Sequence, residues 1–219
     1  MIRSHIDYAT LVSMLDQFFV IVIIIFSAVI HEVMHGVAAD YLGDKTARYA
    51  GRLTLNPIPH LDPFGSILLP VLLSFSGSPI FFGWAKPVPY NPYNLRPGRF
   101  SEAIVAGAGP ASNLGIALVM GAIIRLGFLA PNINAILFLV VVINVMLCIF
   151  NLFPIPPLDG SKILPSILPP GLSYRYNQWR AQMEMNPFLG MGIVLVVITL
   201  MGGAFGNLVY GIAQFIAGV

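Results

Sequence analysis

The chain alternates between long apolar runs and shorter polar stretches that are rich in proline and glycine. Four of the apolar runs cover residues 11–42, 101–129, 133–153 and 187–219. Each reaches the roughly 20 residues that an α-helix needs to cross the hydrocarbon core of a bilayer. The pattern therefore predicts four transmembrane helices. The first run has no small-residue cleavage pattern after it, so we expect a retained helix and not a signal peptide.

A fifth apolar run, at residues 64–75, is too short for an ordinary span and is interrupted by Pro70. Irregular backbone at membrane depth is tolerated where it is buried in protein or lines a polar cavity. We therefore expect this run to be a re-entrant segment, which enters and leaves the membrane by the same face.

The basic residues favour this topology. All of the eleven lysines and arginines except Arg3 and Arg125 lie in the segments 43–60, 79–100 and 159–186. The positive-inside rule predicts that such segments are cytosolic. The first two segments share a side only if the short run between them re-enters; if that run spans the membrane instead, one basic loop lies outside the cytosol.

Two loop stretches have features of extended structure. Residues 46–57 alternate weakly between polar and apolar side chains, and residues 83–96 contain several prolines. Prolines restrict strands to sheet edges, because they lack a backbone N–H. Together the two stretches predict a short cytosolic β hairpin.

Composition agrees with a membrane protein. Of the 219 residues, 57% are hydrophobic and 9% are charged, whereas soluble domains carry about 25% charged residues. The net charge of +2 is too small and too scattered for a nucleic-acid partner. The single Cys148 excludes an intramolecular disulfide and a cysteine-based zinc site. We expect an all-α polytopic membrane protein with one domain, residues 1–219, and a functional core at about residues 11–164.

The sequence HEVMH, at residues 31–35, lies near the end of the first apolar run. Histidines four residues apart project from the same face of a helix, so His31 and His35 can bind one metal ion. Glu32 lies beside the first histidine and can accept a proton from water. The alternative is a pair of interfacial histidines with a glutamate that reaches toward water. Ionisable residues at membrane depth are costly and usually functional, which favours a metal site.

A hydrolytic zinc site needs a third protein ligand and an open fourth position. Spacing alone leaves Asp159, His60 and Asp62 as candidates. Asp159 lies in NLFPIPPLDG, directly after the third long apolar run, where prolines end the helix and Gly160 permits a tight turn. The alternative role for Asp159 is to cap the short helix that follows.

HEVMH on an early transmembrane helix, followed far downstream by NLFPIPPLDG, resembles the site-2 protease family of intramembrane metalloproteases. That family pairs an HExxH helix with an NxxPxxxLDG motif, and AGPASNL is similar to its GPxxN element. The residues that match the last two motifs are Asn151, Pro154, Leu158, Asp159, Gly160, Gly109, Pro110 and Asn113. LNPIPHLDPFG and GWAKPVPYNPYNLR resemble the compact branch found in prokaryotes and plastids. The sequence shows neither the PDZ domain nor the cystathionine-synthase-type domain that many relatives carry, and it lacks the span that often precedes their HExxH helix.

The resemblance implies an intramembrane zinc endopeptidase that hydrolyses peptide bonds in or near transmembrane segments of other proteins. It implies one zinc ion per chain, bound by His31, His35 and Asp159, with Glu32 as the catalytic base. The expected partners are a transmembrane protein substrate and the lipid bilayer, and no nucleic acid. The expected location is a prokaryotic cell membrane, with the active site near the cytosolic side.

Three further polar residues are candidates for substrate binding. The resemblance implies that Asn151 holds the substrate backbone; the alternative is that it bonds carbonyls freed by the neighbouring prolines. For Asn113 the competing role is helix packing. His60, at the mouth of the short apolar run, orients a ligand, binds metal transiently or caps the turn. We expect an extended substrate to pair with the chain near residues 52–55 or 86–90.

Two other functions compete with proteolysis. The first is a catalytically silent metal-binding membrane protein, such as a carrier or regulator, and the second is a structural membrane scaffold. A transporter needs ionisable groups along a whole path, whereas here they cluster at one depth. Glu32 argues against both alternatives, because metal binding alone does not require it.

Overall fold

The computed structural model describes residues 8–68 and 85–219, which are helical apart from the connecting loops. The helices are α1 (Tyr8–Tyr41), α2 (Thr46–Tyr49), α3 (Ser101–Arg125), α4 (Pro131–Asn151), α5 (Gly160–Ile167), α6 (Pro170–Met185) and α7 (Pro187–Ala217). Within the described residues, four helical stretches are long and apolar enough to cross a membrane: Phe19–Tyr41, Ser101–Arg125, Pro131–Asn151 and Thr199–Ala217. The predictions of a helical membrane protein and of four membrane-spanning helices are confirmed.

Local sequence accounts for where the long helices begin and end. α4 and α7 begin with Pro131 and Pro187, at a position where the N–H that proline lacks has no partner inside the helix. α3 has Glu102 in its first turn and Arg125 in its last, which matches the helix dipole. α7 ends at Gly218, whose φ of 76° is in the left-handed region that favours glycine.

α3 lies at the centre of the bundle and packs against α1, α4, α5 and α7. Between α3, α4 and α7 is an apolar core in which Ala117, Val141 and Ala213 are fully buried. Gly121 lets α7 approach closely, because a Cβ there would lie 2.4 Å from Cγ2 of Ile216. Small residues at such contacts are the usual means by which helices pack within lipid.

The predicted β hairpin is wrong for the part of the two loops that the structure describes. Thr46–Tyr49 forms α2, and no strand is assigned in the described remainder of either stretch. The two stretches are nevertheless joined: Lys86 N–H donates to the carbonyl of His60 over 2.8 Å, and Arg52 Nη2 donates to the carbonyl of Lys86 over 2.8 Å. Pro87, Pro89 and Pro92 of the second stretch lack the N–H groups of a regular ladder, and the first stretch begins as the helix α2, so the chains are connected without forming strands.

The short apolar run at residues 64–75 lies partly outside the described residues. Its described beginning belongs to a π-helical stretch, Pro63–Leu68. Asp62 Oδ1 accepts a hydrogen bond from the N–H of Gly65 over 2.6 Å at the start of this stretch. The re-entrant segment itself therefore stays a prediction.

Several loops gather at one end of the bundle, which we name the loop end. Arg96 N–H donates to the carbonyl of Leu42 over 2.8 Å, so the chain returns to the end of α1 just before α3 begins. Arg99 Nη2 donates to the carbonyl of Leu168, just after α5, over 2.8 Å. The end of α1, the start of α3 and the end of α5 thus meet at the loop end.

Asp44 ties the loop before α3 to the end of α1. Its carboxylate is fully buried and accepts hydrogen bonds from Thr46 N–H at 3.2 Å, Asn91 N–H at 2.7 Å and Asn94 Nδ2 at 3.1 Å. Burial acts to raise the pKa of the Asp44 carboxyl, but the hydrogen bond from the Thr46 hydroxyl at 2.5 Å, together with the three just named, outweighs burial and holds that pKa below its usual range. The carboxylate is therefore the anchor of the loop that runs from residue 85 to α3.

Replacing Asp44 by Ala is expected to lower the free energy of unfolding by about 1–3 kcal/mol, because buried donors lose their acceptor. Because the pKa is lowered in the folded state, this contribution is complete above the usual aspartate range and is lost as the pH falls through the lowered pKa. Denaturation in detergent micelles at neutral and acidic pH measures both effects. The control is Glu184→Ala, which removes a carboxylate with 47% side-chain exposure and is expected to change little. Equal losses in the two variants would contradict the anchoring role.

Candidate metal centre

His31 and His35 lie one turn apart on α1, and both are buried, at 6% and 8% exposure. Their rings meet edge to face with centroids 4.7 Å apart, and their Nε2 atoms are 3.1 Å apart. The four-residue spacing on a helix accounts for this arrangement. Two nitrogen atoms that can each supply a lone pair therefore face a common point.

Asp159 brings a carboxylate oxygen to the same point. Its Oδ2 lies 3.1 Å from His31 Nε2 and 3.3 Å from His35 Nε2. Of the three candidates that spacing left open, Asp159 is the one found against both histidines. The His60 side chain donates to the carbonyl of Thr54, and Asp62 Oδ1 accepts from the N–H of Gly65.

The histidines also determine the charge state of this carboxyl. Burial acts to raise the pKa of Asp159, but hydrogen bonds from His31 and His35 and the charges of their rings outweigh burial and hold that pKa well below its usual range. Asp159 is therefore ionised, which is the form that binds a metal ion.

The turn that carries Asp159 depends on Gly160. A Cβ on Gly160 would lie 2.1 Å from the carbonyl oxygen of Leu152 and 2.5 Å from that of Phe153. No side chain fits against these backbone atoms, so the turn folds back on the end of α4 only with glycine at this position. The NLFPIPPLDG sequence thus ends α4, reverses the chain and directs a carboxylate toward α1.

The three convergent atoms fit a tetrahedral zinc ion. Nitrogen and oxygen ligands at about 2.0–2.1 Å from such an ion lie about 3.3–3.4 Å from one another. The observed separations are 3.1, 3.1 and 3.3 Å. Space for an ion is present as well, because Gly109 of α3 faces the pair: a Cβ there would lie only 2.5 Å from His35 Nε2 and 2.6 Å from His31 Nε2.

Hydrogen bonds on the far side of each ring orient the two imidazoles. His35 Nδ1 donates to the carbonyl oxygen of Val105 over 2.7 Å, and His31 Nδ1 lies 2.6 Å from Asn113 Oδ1. A carbonyl oxygen only accepts, so Nδ1 of His35 carries a proton, and Nε2 is the nitrogen that can bind a metal ion once it releases the proton that it donates to Asp159. The Asn113 contact favours the same tautomer for His31.

Glu32 stands beside the two histidines. Ligand atoms of His31, Glu32 and His35 lie within 4.8 Å of one another. Glu32 Oε2 accepts a hydrogen bond from the N–H of Val88 over 2.9 Å. The loop that runs from residue 85 to α3 therefore holds the carboxylate next to the two histidines, and the bond between Lys86 and His60 holds that loop.

The three candidates for substrate binding have different surroundings. The Asn113 side chain is fully buried, and its amide bonds His31, Ser27 and Asn144. His60 is 1% exposed, and its Nε2 donates to the carbonyl of Thr54 over 2.9 Å. Half-buried Asn151 donates from Nδ2 to the carbonyl of Leu147 in its own helix over 2.9 Å. Their proposed contacts with a substrate stay predictions.

Sequence reasoning missed two residues of this centre. Asn144 is a fully buried amide in α4 that bonds Asn113, and Val88 supplies the N–H that holds Glu32. An isolated asparagine in an apolar run is a signal, since polar groups at membrane depth are retained where they have partners. A backbone donor such as that of Val88 leaves no mark in the sequence.

Comparison with known proteins finds one peptidase family model and several related zinc metalloproteases. The model of "Peptidase family M50" matches residues 127–183. "Putative zinc metalloprotease YwhC" of Bacillus subtilis strain 168 is 34% identical over 196 residues, which cover 85% of this chain and 83% of that protein. "Putative zinc metalloprotease Rip2" of Mycolicibacterium smegmatis is 32% identical over 197 residues, which cover 86% of this chain and 70% of that protein.

A more distant relative is "Putative zinc metalloprotease Rip2" of Mycobacterium tuberculosis strain H37Rv. It is 28% identical over 194 residues, which cover 87% of this chain and 69% of that protein. No solved structure gives a significant match. Because these matches cover more than four fifths of the chain, they run across the turn that carries Asp159.

Proposed function

Because the chain belongs to peptidase family M50, the site-2 proteases, we propose that His31, His35 and Asp159 bind its zinc ion and that Glu32 is its catalytic base. The protein is an intramembrane zinc metalloprotease. The observation that supports these residue roles most directly is the convergence of His31 Nε2, His35 Nε2 and Asp159 Oδ2 within 3.3 Å of one another.

The reaction is hydrolysis of a peptide bond. When bound, zinc lowers the pKa of water and polarises the scissile carbonyl. Glu32 accepts a proton from the attacking water and later delivers it to the leaving amine. The hydrogen bond from Val88 N–H leaves the other carboxylate oxygen of Glu32 available for this transfer. His31 and His35, held through their Nδ1 atoms, keep the site rigid during the reaction.

The substrate is the transmembrane segment of another protein, and it must unwind before cleavage because a helix hides its peptide bonds in its own hydrogen bonds. Asn151 is suited to hold the unwound backbone. Its bond to the carbonyl of Leu147 uses one N–H of the amide and leaves further donor and acceptor capacity. Leu55, which is 59% exposed in the loop after α2, supports contact of a substrate with residues 52–55.

The active site faces the cytosol. His35 lies near the end of α1 that meets the loop end of the bundle, so the route for water is short. The bonds from Arg96 to Leu42 and from Arg99 to Leu168 support one shared face for all three basic segments, which the positive-inside rule assigns to the cytosol.

The same contact supports a re-entrant segment at residues 64–75. α1 ends and α3 begins at the loop end, where Arg96 bonds Leu42. A single crossing between them would put these two ends on opposite faces of the membrane. We infer that the chain between α1 and α3 returns to the face at which α1 ends, which is the arrangement of a re-entrant segment.

The test is cleavage by the purified wild-type protein in liposomes that also contain a panel of single-span substrate proteins. We expect about one zinc ion per chain, cleavage within or near the span, loss of cleavage when a chelator removes zinc, and recovery when zinc is returned. A soluble peptide with the same cut sequence but no span is the control. A zinc-loaded protein that cuts no member of a broad panel would favour a silent metal-binding protein, and a protein purified without metal would contradict the assigned ligands.

A further inference from the structure

Asn144 is a buried amide in the middle of a membrane-spanning helix. It lies in α4 within an apolar run, and its side chain is 0% exposed. A polar group without a hydrogen bond is costly at this depth. The hydrogen bonds of Asn144 must therefore offset the cost of burying its amide.

Both ends of the Asn144 amide have partners. Nδ2 donates to the carbonyl oxygen of Val140 at 2.9 Å and to Ser27 Oγ at 3.0 Å. Oδ1 accepts from Asn113 Nδ2 at 2.9 Å. Asn113 Oδ1 in turn lies 2.6 Å from Nδ1 of His31. A continuous series of hydrogen bonds thus leads from α4 through α3 to the proposed metal ligand on α1.

The direction of every bond in this series follows from its first member. The carbonyl oxygen of Val140 can only accept, so the NH2 group of Asn144 faces it and the oxygen of Asn144 faces Asn113. Asn113 must therefore turn its own NH2 group toward Asn144 and its oxygen toward His31. The carbonyl oxygen of Ser27, 3.4 Å from Asn113 Nδ2, favours the same orientation.

The orientation of Asn113 determines which nitrogen of His31 carries a proton. Facing the oxygen of Asn113, Nδ1 of His31 carries a proton, so Nε2, 3.1 Å from Asp159 Oδ2, is the nitrogen that can bind a metal ion once it releases any proton that it donates to Asp159. The opposite tautomer would direct an N–H at the position of the ion and prevent binding. We propose that Asn144 is a positioning residue which, through Asn113, holds His31 in its metal-binding tautomer. This proposal rests on His31 as a zinc ligand, but the proton on Nδ1 is a property of the metal-free protein too, whether or not Nε2 also carries one toward Asp159.

A role in helix packing alone is the competing explanation, because amides often join helices within lipid. Two variants separate the explanations. Asn144→Leu removes the acceptor of Asn113 while nearly keeping the side-chain volume, so the Asn113 amide is free to turn. Ser27→Ala removes the hydrogen bond between α1 and α4 but leaves Val140, Asn144 and Asn113 in series. If Asn144 serves only in packing, the two variants should have similar effects on His31 and on zinc affinity. If Asn144 positions His31, their effects should differ.

The primary experiment is 15N NMR of the histidine rings in the metal-free full-length protein in detergent micelles. In the wild type and in Ser27→Ala we expect His31 with its proton on Nδ1. In Asn144→Leu we expect a mixture of the two tautomers. In the zinc-binding assay, competition with a chromophoric chelator is expected to give a dissociation constant about 10–100-fold higher for Asn144→Leu and unchanged for Ser27→Ala.

Asn144→Ala, which requires less space, is measured in parallel, and the melting temperature of each metal-free variant reports its packing. An unchanged protonation of His31 Nδ1 and unchanged zinc affinity in either Asn144 variant would overturn the proposal, as would a wild type whose Nδ1 carries no proton. Loss of the Nδ1 proton in Asn144→Leu, together with a wild type that bound no zinc, would support the positioning role while refuting the metal site. The two failures are therefore distinguishable.

Discussion

Replacing Glu32 by Gln is expected to lower the rate of substrate cleavage by about 10²–10⁴-fold, which is the usual contribution of a general base. Glutamine has nearly the same shape, and its Oε1 can still accept the hydrogen bond from Val88 N–H that holds Glu32. It cannot take a proton from water. Zinc content is therefore expected to remain at the wild-type level while the reaction fails.

The measurement is the initial rate of cleavage in liposomes, with zinc per chain determined on the same samples. Glu184→Gln, at a half-exposed carboxylate of α6, is the matched control and is expected to cleave at the wild-type rate. Wild-type activity in Glu32→Gln would assign the base to another group. Loss of zinc from this variant would show instead that Glu32 helps to hold the metal.

Replacing Gly109 by Ala is expected to abolish stoichiometric zinc binding and, with it, cleavage. The added Cβ would lie 2.5 and 2.6 Å from the two histidine Nε2 atoms, closer than a carbon and a nitrogen can approach. The methyl group therefore occupies the space that faces the ion. The helix itself does not oppose the change, since alanine is favoured over glycine by about 1 kcal/mol in a helix interior.

Gly115→Ala is the matched control, because it adds the same methyl group to the same helix where no atom lies within 4 Å. It is expected to keep zinc and activity. Zinc per chain after purification, the zinc dissociation constant and the melting temperature are compared for both variants. Wild-type zinc affinity in Gly109→Ala would mean that the ion is bound away from the point where His31, His35 and Asp159 converge.

Much of the fold was predictable because its causes are local. A run of about 20 apolar residues must be a helix when it crosses lipid, since no water is present to satisfy its backbone. The spans of α1, α3 and α4 follow directly from this rule. The prediction of a β hairpin failed because the prolines of residues 83–96 leave too few N–H groups for a ladder, and because residues 46–49 form a helix in place of the strand that weak alternation suggested.

The roles of polar residues in the loops were harder to predict from the sequence than the spans were. Nothing in the sequence distinguishes Asp44 from other acidic residues beyond the first span, yet it is fully buried and holds the loop before α3. His60 was weighed as a ligand and is a buried member of the same loop assembly, bonded to Thr54. Burial decides between such roles, and burial depends on contacts that are distant in sequence.

The sequence by itself determined the spans and the pairing of His31 with His35, because hydropathy and a four-residue helical spacing act within a single segment. Only the tertiary structure decided that Asp159, 128 residues after His31, joins them in place of His60 or Asp62. It also decided that Asn144 bonds Asn113, that Asn113 lies against His31, and that Val88 N–H donates to Glu32. The physical reason is that these contacts join side chains and backbone groups of different segments, and their distances are set by how the helices and loops pack against one another.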